Sequence, residues 1–259
     1  MLETVAGNAL RAAGLRQDKL NYRWTYERHV SRLKGSGDGL RSAMEAAVGG
    51  AFESQGIMQR EILIQAGLPK DGYVIDVGCG SGRLAKPLSE YLEGDYLGID
   101  VVPDLLAYAR KMVARPQWRF LPAPGLTIPE EEGRADMVCF FSVFTHLLHQ
   151  ESFLYLKEAR RVLKPTGRIV FSFHEFSIPS HWTVFEGSLA AIGTFKPLEQ
   201  FMSRDGIAAW ASHLGLQIDA IFDGDKPHIP LPKPLLLENG QTFEGKGFLG
   251  QSVCVLSLQ

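Results

Sequence analysis

Short apolar runs alternate with amphipathic segments through most of the chain. Strands are predicted where apolar or β-branched residues cluster between turn residues, and helices where apolar positions recur at a spacing of three and four. The predicted strands are 73–77, 96–99, 118–121, 137–141, 168–173, 216–222 and 252–258. The predicted helices that lie among them are 82–91, 104–114, 150–163 and 204–214.

Several of the predicted strands are apolar at consecutive positions, as in V-I-D-V at 74–77. Strands of this kind are buried on both faces and are typical of parallel sheets that helices cover on two sides. The alternation of strands and helices therefore predicts an α/β fold, doubly wound and Rossmann-like. In such sheets a ligand binds beyond the carboxyl ends of the strands.

Three stretches depart from this alternation. Residues 1–66 are predicted to be largely helical and to form an N-terminal helical cap, which leaves 67–259 for the α/β domain. Residues 176–203 and 223–251 are predicted insertions, and they act either as lids over the carboxyl edge or as packed surface connections. Asn239-Gly240, in the second insertion, is a strong signal for a hairpin turn.

Composition excludes some classes of function. The 259 residues carry a formal net charge of −2, which argues against a nucleic-acid partner. The three cysteines follow no zinc or disulfide spacing, and no apolar run has the length of a membrane span. We therefore expect a cytoplasmic protein with no metal, no nucleic acid and no membrane among its partners. The oligomeric state stays open.

The segment V-I-D-V-G-C-G-S-G-R at 74–83 carries the first chemical signal. Glycines directly after a buried strand allow a tight turn and let a ligand approach backbone N–H groups. Asp100 ends the next strand, where a carboxylate can accept hydrogen bonds from both hydroxyls of a ribose. This context predicts a nucleoside site. The alternatives are glycines that serve packing alone and a carboxylate that caps the following helix.

Two residues of this segment indicate which nucleoside it binds. A dinucleotide loop would place its third glycine at position 83, where this chain has Arg83. Asp76, inside the strand, would repel a pyrophosphate and attract an ammonium group. These features favour a ligand with an amino-acid end and a ribose but no phosphate, and S-adenosylmethionine fits this description.

Four segments resemble, in order and spacing, the motifs of class I S-adenosylmethionine-dependent methyltransferases. They are the glycine segment, G-I-D-V-V at 98–102, A-D-M-V-C-F-F-S-V-F-T-H-L at 135–147 and L-K-P-T-G-R-I-V-F-S at 163–172. The resemblance covers about residues 60–223. It implies a seven-stranded sheet whose last strand is antiparallel, S-adenosyl-L-methionine as cofactor and S-adenosyl-L-homocysteine as product. The predicted cofactor-binding residues are Asp76, Gly78, Cys79, Gly80, Gly82, Arg83, Asp100, Val101, Phe141 and Ser142.

One departure from the family concerns the adenine. Many relatives carry an acidic residue after the third strand that contacts the adenine amine. Here that loop contains Ala123, Pro124 and Gly125. We therefore expect the adenine to be held by backbone groups and by apolar neighbours such as Val101, Val102 or Leu126.

Methyl transfer to oxygen or nitrogen often needs a base, which we expect near the carboxyl ends of the fourth and fifth strands. His146 and His174 are the predicted catalytic residues, because a histidine titrates near neutral pH. His146 bracing its loop is the structural alternative. Because side chains alternate along a strand, only one of His174 and Glu175 is expected to face the cleft. His149 is predicted to be a surface residue at a helix start.

The predicted function is transfer of a methyl group to a small-molecule acceptor, an oxygen on a sugar, glycan precursor or secondary metabolite. N- or C-methylation of another small molecule or of a protein is the first alternative. Two alternatives come from other classes: a cofactor-binding scaffold without catalysis, and an NAD-dependent oxidoreductase. Asp76, Arg83 and the lack of a Tyr-x-x-x-Lys pair beyond the fourth strand argue against the oxidoreductase.

Overall fold

The structure is a computed structural model of the chain and describes residues 22–35, 39–189, 192 and 198–259. Seven strands form the main sheet. In chain order, strands one to seven of this sheet are Val74–Val77, Tyr96–Asp100, Arg119–Pro122, Ala135–Phe140, Leu163–Phe173, Leu216–Phe222 and Ser252–Leu258. Their spatial order is 3-2-1-4-5-7-6. Strand seven is antiparallel to both of its neighbours, and the other pairings are parallel, so the predicted fold class is confirmed.

Helices cover both faces of this sheet. They are Tyr22–Lys34, Leu40–Ala46, Phe52–Gln65, Ala85–Leu88, Pro103–Val113, His149–Val162, His181–Leu189 and Arg204–His213, with a 3₁₀ turn at Phe144–His146. One apolar core contains Val74 and Cys139 of the strands with Met58 of a helix, and the other contains Ile75 and Val138. Neighbouring strand residues therefore point into opposite cores, which explains why the strands are apolar at consecutive positions.

The predicted helix 82–91 is the main error in the secondary structure. Only Ala85–Leu88 is α-helical, and turns flank it on both sides. Pro87 has no N–H group to donate to the carbonyl of Arg83, which interrupts a longer helix. The helix Phe52–Gln65 packs so closely on this turn that a Cβ added at Gly56 would lie 2.2 Å from the carbonyl oxygen of Arg83.

The second predicted insertion is mainly a packed connection. Within 223–251 the structure has two short antiparallel ribbons, and the Asn239-Gly240 turn closes one of them. Ile229 and Leu249 are buried in the core beside the helix Phe52–Gln65. In the first insertion the structure describes the helix His181–Leu189, whereas residues 190–191 and 193–197 lie outside the described residues.

The N-terminal helices pack beside the carboxyl end of strand two. Val30 and Met44 form a small apolar cluster with Val102 and Leu105. The Ser81 hydroxyl donates to the Met44 carbonyl at 2.8 Å. Residues 1–21 and 36–38 of the predicted cap lie outside the described residues, and the boundary at residue 66 stays a prediction. In the described ranges, no helix is both long enough and apolar enough to cross a bilayer.

Candidate functional site

A cleft of about 690 Å³ opens at the carboxyl ends of strands one, two, four and five. This volume lies in the range of roughly 300–1,000 Å³ that is typical of ligand pockets. Strands two and three lie on one side of strand one, and strands four and five lie on its other side. The strand order therefore reverses between strands one and four. Ligands bind at such a switch point in open α/β sheets. The cleft is therefore where the sequence predicts it.

Gly78 and Gly80 form one wall of the cleft through their backbone. Both have positive φ, +76° and +55°. A Cβ at Gly78 would lie 2.4 Å from Val143 Cγ2, and one at Gly80 would lie 2.5 Å from Val48 Cγ1. No side chain fits at either position, which keeps the loop narrow and its backbone exposed to the cleft.

Gly82 corrects one of the predicted contacts, because it does not line the cleft. It has a φ of +90°, and a Cβ there would meet the Ala109 Cβ and the Met112 Cε at 3.0 Å. The third glycine thus allows the loop to pack on the helix Pro103–Val113. The sequence could not separate this packing role from ligand contact, since both need the same residue type.

Asp100 ties the glycine loop to the end of strand two. One carboxylate oxygen accepts a hydrogen bond from the Gly80 N–H and the other from the Val102 N–H, both at 2.9 Å. Burial raises the pKa of Asp100, although these backbone bonds oppose the increase. Val102 is the N-cap of the helix Pro103–Val113, and this helix has no side-chain cap, so the bond from Asp100 holds the residue that enters the helix. Each oxygen keeps lone-pair capacity for a second donor.

Asp76 is a buried carboxylate whose two hydrogen-bond partners are both neutral, while the charges of Arg83 and Asp100 have opposite and smaller effects on its pKa. It accepts a hydrogen bond from the Tyr96 hydroxyl at 2.7 Å and a weak one from the Cys139 thiol at 3.6 Å. Burial raises the pKa of Asp76 to about 6. A buried carboxylate with neutral partners is costly when it ionises, so a cation arriving in the cleft would stabilise it.

Arg83 lines the cleft from the turn after the glycine loop. Its guanidinium donates to the Val48 carbonyl, and burial lowers its pKa to about 10. The bond joins the loop to the N-terminal region. Three other predicted cofactor contacts also line the cleft, namely Cys79, Val101 and Phe141.

Ser142 stands in a strained backbone conformation at the end of strand four, with φ at +57°. Its N–H donates to the Ser172 hydroxyl at 2.8 Å, and both hydroxyls donate to Gln251 Oε1, at 3.2 Å and 2.6 Å. This arrangement leaves the amide NH₂ of Gln251 as a donor in the cleft wall. Strained residues of this kind are concentrated at functional sites.

His146 lines the cleft from the 3₁₀ turn after strand four. Its Nδ1 lies 2.7 Å from the Leu198 carbonyl oxygen. Because a carbonyl only accepts, Nδ1 carries the proton and Nε2 the lone pair. The ring meets Tyr26 edge-on at 5.5 Å, and burial lowers the pKa of His146.

His174 faces the cleft and Glu175 does not, as side-chain alternation predicted for this pair. Burial, with smaller effects from His181 and His146, lowers the pKa of His174 to about 4. Its Nδ1 has no hydrogen-bond partner in the described part of the chain, so no neighbour fixes its tautomer. Burial alone would raise the pKa of Glu175, but hydrogen bonds from Arg204 and two serines lower it.

His149 lies outside the cleft, as predicted, at the first residue of the helix His149–Val162. Its Nε2 lies 2.9 Å from the Phe201 carbonyl oxygen.

In the loop after strand three, Ala123 lines the cleft beside Val101, whereas Val102 and Leu126 do not. Of the three apolar neighbours suggested for the adenine, Val101 lines the cleft, and Val102 and Leu126 lie outside it.

Other lining residues escaped the sequence analysis. Among them are the polar residues Gln55, Gln59, Glu199 and Gln251. Tyr26, which the sequence favours as a packing residue and offers as a pocket residue only second, also lines the cleft. Burial, with contributions from Glu199 and Asp100, raises the pKa of Tyr26, so its hydroxyl stays protonated. No local motif surrounds any of these positions, which is why pattern alone did not select them. No group of three metal-ligating side chains occurs among the residues that the structure covers.

Comparison with known proteins gives a consistent result. Residues 75–171 match the family model described as a methyltransferase domain. A protein of Bacillus subtilis (strain 168), YqeM, which carries the name of a methyltransferase, is 30% identical over 115 residues. The match covers 43% of this chain and 46% of YqeM, so it spans less than half of that relative.

Two solved structures share the fold. A TehB-like SAM-dependent methyltransferase from Corynebacterium glutamicum is 20% identical with a TM-score of 0.55, covering 88% of this chain and 99% of its own. Magnesium protoporphyrin IX methyltransferase from Synechocystis, with bound SAH, is 15% identical with a TM-score of 0.56, covering 99% and 100%. With the sheet order and the four motifs, these findings support a class I S-adenosylmethionine-dependent methyltransferase, with S-adenosylmethionine as its cofactor.

Proposed function

We propose that this chain transfers a methyl group from S-adenosylmethionine to an oxygen of a small-molecule acceptor, on a sugar, glycan precursor or secondary metabolite. The observation that carries the proposal is the meeting of Asp76, Asp100 and the narrow glycine loop in one cleft with two neutral histidines. When bound, the cofactor supplies a sulfonium methyl group and a neutral thioether leaving group. The chain's own residues provide alignment and proton removal.

Asp76 and Asp100 fit the two ends of that cofactor. The buried Asp76 has neutral partners, so the ammonium of an amino-acid end would relieve the cost of its charge. Asp100 has each oxygen held by one backbone N–H and can accept further hydrogen bonds from ribose hydroxyls. Arg83 and the backbone of the glycine loop would hold the remaining polar groups. Val101 and Ala123 offer an apolar surface for the adenine.

His146 is the better candidate for the general base. The Leu198 carbonyl fixes the proton on Nδ1 and leaves Nε2 able to take a proton from a hydroxyl. The lowered pKa keeps the ring neutral at physiological pH. In the proposed step the acceptor oxygen forms a bond to the methyl carbon, the carbon–sulfur bond breaks, and the hydroxyl proton passes to Nε2. His174 faces the same space without a fixed tautomer and would contact the acceptor.

The charges of the lining residues favour an acceptor without phosphate. Arg83 is the one Arg or Lys side chain among the described residues that line the cleft, and it is bound to the Val48 carbonyl. Asp76, Asp100 and Glu199 contribute negative charge to the same space. A polyanionic acceptor such as nucleic acid would be repelled there.

The direct test is calorimetric titration of the full chain with S-adenosylmethionine and S-adenosylhomocysteine, with NADH as comparison ligand. Asp100→Asn keeps the size of the side chain but replaces one of its two acceptor oxygens with an NH₂ donor, so we expect it to weaken binding by at least about tenfold. Thermal unfolding of the variant shows whether the loop held by the Gly80 and Val102 N–H groups stays in place. Asp104→Asn is the matched control. Asp104 lies in the first turn of the helix Pro103–Val113, which follows Asp100 along the chain. It is exposed and pairs with Lys34 outside the cleft.

The outcomes separate the proposal from its rivals. Binding of both sulfur nucleosides that Asp100→Asn weakens and Asp104→Asn leaves unchanged would support the cofactor assignment. Equal loss of binding in both variants would mean that the substitutions disturb the start of the helix Pro103–Val113 and do not report on a ribose contact. Binding of NADH alone would favour an oxidoreductase. Binding of the sulfur nucleosides without labelled methyl transfer to any acceptor would favour the scaffold alternative.

A further inference from the structure

Gln59 is a polar side chain that is buried in the fold and lines the cleft. It is only 2% exposed, and it belongs to the helix Phe52–Gln65. Its amide has no hydrogen-bond partner among the residues that the structure describes. Nearly all buried polar groups in proteins are hydrogen-bonded, because an unpaired one costs free energy. An unpaired amide in the wall of a cleft therefore indicates that a bound ligand supplies the missing partner.

Gln59 lies on the face of its helix that packs on the turn after the glycine loop. Gly56, three residues earlier, would place a Cβ 2.2 Å from the Arg83 carbonyl oxygen. Residues three apart in a helix share a face, so Gln59 lies over the same turn. Burial dominates the pKa of both Asp76 and Arg83, but each charge also acts on the other, so these two groups lie near each other. Gln59 therefore belongs to the end of the cleft that holds Asp76 and Arg83.

The glycine loop itself offers few free donors to an anion at this end of the cleft. The N–H groups of Gly78 and Cys79 both donate to the Ile99 carbonyl, at 2.7 Å and 3.1 Å. The Gly80 N–H donates to the Asp100 carboxylate at 2.9 Å. These three backbone donors are used within the protein, which leaves side chains as the main donors for an anionic group of the ligand.

We propose that the Gln59 amide donates a hydrogen bond to the α-carboxylate of S-adenosylmethionine, beside the guanidinium of Arg83. This inference rests on the proposed function, which assigns the ammonium of the same amino-acid end to Asp76. The ammonium and the carboxylate are bonded to one carbon atom, so they occupy the same part of the cleft. A carboxylate taken out of water needs donors, and hydrogen bonds to a charged group are stronger than neutral ones.

The contact makes the carboxylate a determinant of cofactor affinity. The test compares S-adenosylmethionine with its decarboxylated analogue, which keeps the ammonium, the sulfonium and the nucleoside. Both are titrated calorimetrically into the full chain and into Gln59→Leu, which has a similar size and no amide. We expect Gln59→Leu to bind S-adenosylmethionine about tenfold or more weakly, the loss expected for a hydrogen bond to a charged group. Its affinity for the decarboxylated analogue should stay unchanged.

Gln65→Leu is the matched control, because it makes the same chemical change on the same helix. Gln65 donates to the His228 carbonyl at 3.0 Å and does not line the cleft, so both affinities should stay unchanged in this variant. Thermal unfolding of the ligand-free chain gives a second readout. Gln59→Leu replaces an unpaired buried amide by an apolar group of similar size, so the melting temperature should not fall.

The outcomes that would overturn the inference leave cofactor binding by the unaltered chain intact. They are equal weakening of both ligands in Gln59→Leu, an unchanged affinity for S-adenosylmethionine in that variant, and equal affinity of the unaltered chain for both ligands. A lower melting temperature of Gln59→Leu would also overturn it, because the amide would then support the fold. If the unaltered chain binds neither ligand, the proposed function itself fails, so the two failures can be told apart.

Discussion

The two halves of the cleft are built in different ways. We assign Asp76, Gly78, Gly80 and Asp100 to the cofactor half. Backbone N–H groups hold Asp100, and close packing restricts the two glycines. We assign His146, His174 and Gln251 to the acceptor half, where the hydrogen bonds of the side chains set the orientation of His146 and Gln251. A conformation fixed by the backbone suits a ligand that is the same for a whole family. One built from side chains can change its specificity without disturbing the loop.

The largest expected effect concerns the acceptor half. His146→Gln keeps a donor for the Leu198 carbonyl but removes the base, so we expect kcat to fall about 10²- to 10⁴-fold. His174→Gln should lower kcat less and raise KM, because we assign His174 to contact with the acceptor. Steady-state kinetics with labelled cofactor, and S-adenosylhomocysteine affinity as the control, check this. If neither change slows transfer, the base assignment is wrong.

The second prediction tests the narrow loop of the cofactor half. Gly78→Ala forces a Cβ to within 2.4 Å of Val143 in a positive-φ conformation, so we expect the free energy of unfolding to fall by roughly 2–5 kcal/mol. Cofactor binding should be lost with it. Gly133→Ala is the matched control, because Gly133 has a φ of +67° and open space around it. It should cost only about 1–2 kcal/mol and leave binding unchanged.

Chemical denaturation and calorimetry of the two glycine variants measure these effects. If the free energy of unfolding falls as little in Gly78→Ala as in Gly133→Ala, the Val143 side chain moves aside easily to make room for the added Cβ. The glycine would then be needed for its backbone angles alone, and the loop would not be as narrow as the contacts indicate.

The third prediction is the pH dependence of cofactor affinity. Burial raises the pKa of Asp76 to about 6, and only the ionised form attracts an ammonium group. Affinity should therefore be constant above about pH 7 and fall by up to about tenfold for each pH unit below 6. Titrations between pH 5 and pH 8 measure it, and Asp76→Asn should bind weakly with little pH dependence. A flat profile in the unaltered chain would contradict the ammonium contact.

The same pKa makes a statement about stability. Because the folded-state pKa of Asp76 lies above the unfolded value, the ionised carboxylate destabilises the ligand-free fold as pH rises through about 4 to 6. Asp76→Asn should therefore stabilise the ligand-free protein at pH 7 by about 1–3 kcal/mol while it weakens binding. Thermal unfolding with and without S-adenosylhomocysteine tests this opposition, and a destabilised variant would contradict it.

The smallest expected effect concerns Glu238, which is distant in the chain from the helix Phe52–Gln65 but contacts its first turn. The Glu238 carboxylate accepts hydrogen bonds from the N–H groups of Glu53 and Ser54, both at 3.0 Å, at the start of the helix that carries Gln55 and Gln59. Glu238→Ala should lower the free energy of unfolding by about 1 kcal/mol, as removal of a helix N-cap does. Chemical denaturation measures it, with Leu236→Ala as control. Cofactor affinity should change little.

Much of the cofactor half was predictable from local sequence. Strand, glycine loop and the following carboxylate lie close together along the chain, so their relative positions follow from the fold class alone. Gly82 and the helix 82–91 were the exceptions. A glycine needed for packing resembles one needed for a ligand, and Pro87 shortened a helix whose apolar pattern looked continuous.

The sequence by itself determined the fold class, the cofactor and the position of the cofactor half, because each rests on neighbouring residues and on the apolar pattern of the strands. For the acceptor half the sequence suggested His146 and His174, and only the tertiary structure brought them together with the other residues. Tyr26, His146, His174, Glu199 and Gln251 come from five separate parts of the chain and meet only when the sheet and its insertions fold. The tautomer of His146 likewise depends on a contact with the distant Leu198 carbonyl, which no local pattern encodes.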